Sequence, residues 1–466
     1  MDEAGDDVNE NKELFEKKPV WRAVISLAVP TVISQLITVA YNIADTFFIG
    51  QVGNPNQVAA VSLCMPLFVL LTGMANLFGI GGSSLISRSL GEKDGERAQK
   101  VSTFCIWTAG IVSLIYGVSA FGLKGYILPA VGANGETYEF CSQYVFWAIG
   151  MGAVPTVLNG VFAHLVRAQG YSGQASFGMA LGGILNMVLD PVFISLMSFE
   201  VAGAAIATMV SNLIAAIYFL AFICRKGKAA AITLNPCGYT WKMGIPFEVL
   251  FVGLPSCMMN LMGVCSNITL NRLMVSYCNE AVAGMGIAKK VDMLAFAIAA
   301  GMSQGVLPLI GYNYSAGNVK RMLSAVKTTF VYSLVIGLLG MGFLITCAGP
   351  MVRAFIDDPL TVEYGSRFQR IMCITCPWVS VTMIIITFFQ AVGRKIEPLM
   401  LSLLRKGGLD IPAMVLMNRW VGINGIAWAT PTADVGVMVA AICLFIPFWR
   451  RLDVRGKLRI KYEESQ

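Results

Sequence analysis

Long apolar runs follow one another along nearly the whole chain, separated by short connections that hold most of the charge. Roughly 20 apolar residues carry a helix across a hydrocarbon core about 30 Å thick, so each run reads as a transmembrane helix. The pattern predicts twelve spans. The first six lie at about 23–50, 59–87, from Lys100 to near Ile127, 140–164, around Gly182–Ile194, and 202–224. The second six lie at about 248–277, 282–311, 322–348, 361–391, 398–417 and 425–449. The expected fold class is therefore an all-α polytopic membrane protein.

Self-similarity divides these spans into two sets. Pro30 and Asn42 match Pro255 and Asn267 at an offset of 225; Gly81, Leu85, Ile86 and Arg97 match Gly305, Leu309, Ile310 and Arg321 at 224. Ala168 and Gly170 match Ala391 and Gly393 at 223, and the Gly203, Ala205, Ala207, Thr208 pattern matches Gly425, Ala427, Ala429, Thr430 at 222. An offset that falls by single steps is what small loop changes produce after a tandem duplication, an arrangement common in transporters. The expected organisation is an N-terminal segment at 1–22, an N-lobe at 23–224, a linker at 225–247, a C-lobe at 248–449 and a basic tail at 450–466.

Composition agrees with the pattern. In 466 residues, 56% are hydrophobic and 13% charged, which excludes an ordinary soluble domain. The net charge of +7 sits in connections and at the C-terminus, so it reads as a topology signal and not as affinity for nucleic acid. Basic residues gather at Arg88, Lys93, Arg97, Lys100, Arg167, Arg225, Lys226, Lys228, Lys242, Lys320, Arg321, Arg394, Lys395 and from Arg450 onward, which places both termini on the cytoplasmic side of the inner (plasma) membrane. The acidic start of the chain lacks the features of a cleaved signal. The twelve cysteines are scattered, and the Cys373-x-x-Cys376 pair falls in an apolar run, where two small buried side chains are expected. The glycines of GIGGSS (79–84) suit close helix packing, and His164, the only histidine, reads as an interfacial side chain beside Arg167.

The candidate chemistry is a set of polar residues inside apolar runs. Asn186 and Asp190 stand four apart, hence on one helical face, and Pro191 lacks the backbone donor that would otherwise bond near Met187. Asp45 is a second intramembrane acid. A carboxylate at that depth is costly on insertion scales, about 2.5–3.5 kcal/mol, and normally faces a bundle interior or a wet cavity. The repeat pairs Asp45 with Leu270 and the Asp190 region with Ile411 and Pro412, so coupling chemistry is expected in the N-terminal half. Arg272, Lys289, Lys290, Asp292, Asp410 and Asp434 are charges in or near second-half spans for which structural pairing is the first expectation.

The segments PTVISQLITVAYNIADTFFIG, LFGIGGSSLISRSLGEKDGERA, NMVLDPVFI, VAGAAIATMVSN and PLIGYNYSAGNVKR together resemble the multidrug and toxic compound extrusion (MATE) transporters, over essentially the whole chain. The resemblance implies two six-helix lobes across a central cavity, and export of cationic amphiphiles against an inward flow of H⁺ or Na⁺. Resemblance to the DinF-like branch implies a cation or proton site at Asp45, Asn186, Asp190 and Thr208, a helix bend at Pro30 and a polar cavity position at Asn159. Pro191 is a second expected bend, and Asn42 and Gln35 are further candidate cavity-lining residues. The acids that other branches carry in spans seven and ten are absent, since those spans read CSNITLN and CITCPWVSVTMIIITFFQ.

The expected partners are small cationic or amphiphilic molecules and membrane lipids, with no nucleic acid and no second subunit. Apart from the coupling ion, no cofactor and no catalysis are expected. Two rival readings exist: a flippase for lipid-linked precursors, which needs basic residues in its cavity, and an intramembrane acid–base enzyme using Asp45 and Asp190.

Overall fold

The computed structural model describes residues 13–51, 54–227, 231–241 and 244–463. The acids before Glu13 and the linker's Lys228 and Lys242 lie outside the described residues. Among the described residues every regular element is helical. Nine helices are each long and apolar enough to cross a membrane: Val20–Gln51, Asn56–Gly91, Gly95–Gly122, Ser172–Leu196, Glu200–Lys226, Ile245–Val275, Asn279–Ser315, Val319–Thr346 and Ile423–Leu452. Two further spans are broken in the middle. Tyr138–Met151 meets Ala153–Ala168 at 47°, and Pro359–Cys373 meets Cys376–Ala391 at 45°. The remaining span, the eleventh, is Ile396–Leu403, a π-helical stretch Leu404–Leu409 and Asp410–Val421.

The breaks in the fourth and tenth spans were not expected, and they repeat. Pro155 and Pro377 each stand in the first turn of the second segment, where a missing backbone donor costs nothing. Their numbers differ by 222, so the break belongs to the duplicated unit. Cys373 and Cys376 flank the second break as free, buried thiols.

The outward faces of the spans suit lipid. Ile111, Leu114, Ile115 and Val118 form one helical stripe on the third span and are 50% to 63% exposed. On the ninth span, Val335, Leu339 and Phe343 do the same. Such stripes would be a liability in water and are stable against acyl chains.

The chain forms two compact units. The first is chiefly Ile33–Leu261; the second takes Lys18–Val32 and the chain from Met262 onward. These bounds differ from lobes cut at the linker, because each half's first helix is divided: the start of the first span belongs to the second unit, and the start of the seventh belongs to the first. Helical structure runs unbroken through Pro30 and Pro255, two and six residues before the division points. Glycine explains the close packing of these exchanged segments. In the first unit a Cβ on Gly81 would meet the Val249 carbonyl oxygen at 2.0 Å, and one on Gly253 would meet that of Leu77 at 1.8 Å. In the second, Gly305 stands against Ala28 in the same way, at 2.7 Å. Gly81 and Gly305 are repeat partners, so the packing role expected for GIGGSS holds in both copies.

An arginine fixes each exchanged helix start. Arg97 and Arg88 bind Glu248 at 3.2 and 3.1 Å in the first unit; Arg321, the repeat partner of Arg97, donates to the Lys18 carbonyl at 2.6 Å in the second. The linker is ordered where it is described. Thr233 N–H donates to Ser102 Oγ at 3.1 Å, Trp107 Nε1 to the Leu234 carbonyl at 3.2 Å, and Ile232 is buried. The basic tail continues the last helix, which runs to Glu463.

Candidate functional site

The first unit brings the candidate residues of the fifth and sixth spans into contact. Asn186 Nδ2 lies 3.3 Å from Asp190 Oδ1 and 3.3 Å from Thr208 Oγ1, so one amide bridges both. The i, i+4 spacing on a helix produces the first contact, and close packing of the Ala- and Gly-rich sixth span produces the second. After Pro191 the fifth span widens into a π-helical turn, Val192–Leu196, the local adjustment a proline favours when it removes a ladder bond. Asn186, Asp190 and Thr208 are all buried.

Asp45 comes from the second half of the first span and lies within electrostatic reach of Asp190. Gly183 lets the two helices approach, since a Cβ there would stand 3.0 Å from both Ile37 and Tyr41 side-chain carbons. Tyr41 and Tyr144 also face the two acids, and sequence reasoning missed both. Tyr41 was discoverable, being four residues before Asp45 on the same helical face. Tyr144 enters from the broken fourth span, which no local pattern predicts.

Three buried oxygens of this cluster have no hydrogen-bond donor: Asp45 Oδ1, Asp190 Oδ2 and Asn186 Oδ1. Orphaned acceptors of this kind are rare in folded proteins and call for a water, a proton or a cation. Two carboxylates, an amide oxygen and a hydroxyl are hard oxygen ligands that fit a small cation such as Na⁺. Among the described residues, no group of three or more His, Cys, Asp or Glu is placed to hold a metal ion, so the site depends on its neutral oxygens.

Asn159 is connected to the site through a residue that sequence reasoning did not select. Its amide donates to Asn212 Oδ1 at 2.8 Å, and Asn212 in turn donates to the Thr208 carbonyl at 2.9 Å. Asn42 and Gln35 share a helical face with Asp45. Asn42 donates to the carbonyl of Thr38 at 2.8 Å, within its own helix. Pro30 lies in the part of the first span that belongs to the second unit. His164 is buried against neighbouring helices near the C-terminal end of Ala153–Ala168, with Arg167 Nη1 3.4 Å from its Nδ1 and Arg167, in the last turn, 1% exposed.

The second unit holds a different polar cluster. Asp410 accepts hydrogen bonds from Ser266 at 2.6 Å and from Thr430, the repeat partner of Thr208, at 3.2 Å. Arg405 is paired with Asp434 at 2.8 Å, both buried, and lies over the ring of Phe296 at 5.1 Å. The structural pairing expected for Asp434 is observed. The second half therefore does place acids on the corresponding helices, at positions that a constant offset does not align.

The family model described as MatE matches residues 30–192 and 255–416, one copy in each half. The chain is 29% identical to the multidrug export protein MepA of Staphylococcus aureus over 440 residues, covering 94% of this chain and 96% of that protein. It is 28% identical to MepA of Staphylococcus haemolyticus, with 96% of each covered. Among solved structures, it superposes on the outward-facing conformation of a multidrug resistance MATE family transporter with a TM-score of 0.87 at 23% identity, covering 94% of this chain and 98% of that one. A transporter of the MOP superfamily from Pyrococcus furiosus gives 0.85 at 24% identity, with 95% and 97% covered. At these identities the structural likeness concerns the fold.

Proposed function

We propose, because this chain belongs to the MatE family, that it is a multidrug efflux transporter exporting cationic amphiphiles in exchange for H⁺ or Na⁺, with the coupling site in its first unit. The family membership rests on a model match to both halves, and the substrate class is carried over from relatives named as multidrug export proteins. The observation that carries the coupling site is the trio of donor-free buried oxygens on Asp45, Asp190 and Asn186. A cation or proton bound there neutralises the acids and removes the charge that holds a cationic drug. Drug and ion then compete for one site, which is the differential affinity that alternating access requires. The DinF-like branch supplies the functional analogy for such a first-unit mechanism.

The distribution of Arg and Lys supports cytoplasmic termini in an inner (plasma) membrane, and a single chain suffices for the exchange. Transport, and not acid–base catalysis, accounts for a six-plus-six repeat around the acids.

The test is efflux of ethidium from proteoliposomes, comparing wild type with Asp45→Asn under an imposed pH gradient, with and without Na⁺. Dye movement in wild type and its loss in the variant support exchange at the first unit. Equal movement in both would remove Asp45 from the coupling site, and no movement under either gradient would overturn the efflux reading.

A further inference from the structure

The charged cluster of the second unit has a closed part and an open part. The closed part is the buried Arg405–Asp434 pair, with Thr375 a further 3.5 Å from Asp434. The open part is Lys289 and Asp292 of the eighth span and Lys406 of the eleventh, all partly exposed. Lys289 Nζ has the Thr430 hydroxyl at 3.5 Å, and that hydroxyl already donates to Asp410. Lys406 Nζ reaches Asp410 only at 3.7 Å, on the oxygen that takes the short bond from Ser266. Asp292 stands in the field of Lys289, Lys406 and Arg405 yet has no hydrogen bond or ion pair among the described residues.

An ammonium inside a membrane span ordinarily has a close carboxylate or carbonyl partner. Here Lys289 and Asp292 lack one and Lys406 has only the long pair with Asp410, although the cluster is balanced overall. Lys289, Arg405 and Lys406 offset Asp292, Asp410 and Asp434. That balance limits what can bind. A purely cationic ligand would meet two ammoniums, and a doubly charged anion would leave the cluster negative. A molecule with one carboxylate and one cationic group satisfies both sets and leaves the net charge unchanged.

We propose that Lys289 and Lys406 form a subsite for the carboxylate of a zwitterionic substrate, with Asp292 receiving its cationic end. This rests on the efflux reading above and adds a substrate class to it. The first unit discharges its cation when the coupling ion binds, whereas the second selects for a substrate that carries its own counter-charge.

The test uses rhodamine B, which carries a free carboxylate at neutral pH, and its ethyl ester, which is cationic only. Both are presented to the full-length protein in proteoliposomes, and the ratio of their export rates is the readout. For wild type, both dyes are exported. In Lys289→Gln and Lys406→Gln the ratio of rhodamine B to ester falls about tenfold, the loss expected for one charge-assisted hydrogen bond, and Lys406→Arg restores it. If the single variants fail to fold, the charge-balanced Lys406→Gln with Asp410→Asn is read by the same ratio. A ratio that stays constant while both rates fall would mean that the lysines only balance buried acids, and would overturn the proposal. Export of the ester but not of rhodamine B by wild type would overturn it while leaving the efflux reading intact. Export of neither dye would overturn the efflux reading itself.

Discussion

The same three helices of each repeat carry a polar site, and the two sites solve opposite problems. In the first unit the fifth and sixth spans supply Asn186, Asp190, Thr208 and Asn212, the first span adds Asp45, and no base is present; buried oxygens are left without donors. In the second unit the corresponding eleventh and twelfth spans supply Arg405, Asp410, Thr430 and Asp434, and each buried acid has a partner. Two pairs of positions share the offset of 222 found for Thr208 and Thr430: Asn212 with Asp434, and Gly183 with Arg405. Where the first copy has a glycine that admits Tyr41, the second has a guanidinium. Where the first has an amide bonded to Asn159, the second has the carboxylate that pairs with this guanidinium. Duplicated backbone thus supports either buried acids with donor-free oxygens or a paired buried charge, and the residues differ at these two positions.

The largest effect is expected from breaking the fixed pair. Arg405→Met leaves Asp434 buried without its partner, which costs about 3–5 kcal/mol, whereas Arg405→Met with Asp434→Leu removes the unpaired charge and recovers most of it. Thermal unfolding in detergent checks this; equal losses in single and double variants would show that the pair is not the stabilising unit. Next comes the proposed coupling site. Asp190→Asn leaves the fold intact and reduces ion-driven ethidium export by roughly 5–150-fold, the range of ordinary coupling free energies. Its thermal stability should stay near that of wild type, opposite to Arg405→Met, and a matching collapse of the fold would erase the distinction between the two units.

Smaller effects sharpen the geometry. Gly183→Ala introduces a methyl group 3.0 Å from the Ile37 and Tyr41 side chains, displacing the first span from the fifth. We expect a loss of Na⁺ or proton coupling of about 1 kcal/mol, at the low end for overpacking, seen as a higher ion concentration for half-maximal export. Asn159→Ala removes one neutral hydrogen bond from Asn212 and should cost about 0.5–1.5 kcal/mol, read as a modest rise in the dye concentration for half-maximal export with unchanged ion dependence. A changed ion dependence would place Asn159 in the coupling site itself.

Most of the scaffold was legible because its signals are local. Span length, hydropathy and the drifting offset depend on residues close in sequence, and they located the twelve spans and the repeat. Asn186 and Asp190 were legible as an i, i+4 pair, and Asp45 as an acid in an apolar run. Three features were not. The breaks in the fourth and tenth spans arise where packing bends a continuous apolar pattern, and they bring in Tyr144. His164 and Arg167 stand near the end of the fourth span, and their burial depends on neighbouring helices that no local pattern reveals. Asp410 escaped alignment because a constant offset pairs Asp190 with Pro412, while the carboxylate that accepts from Thr430 is that of Asp410, two residues earlier and just after the π-helical stretch Leu404–Leu409.

The division of the first and seventh helices between the compact units has a consequence for how the chain is made. Residues 18–32 leave the ribosome early, yet the body they pack against begins at Met262. They must wait in the bilayer while the intervening 33–261 are synthesised. The first unit is itself incomplete until the chain has reached Leu261. A gene cut at the linker would therefore yield two fragments, each missing a helix start held by the other, and an ancestral single copy with this architecture would have had to obtain that segment from a neighbouring chain. In that case fusion of two copies would turn an exchange between molecules into an order of events along one polypeptide.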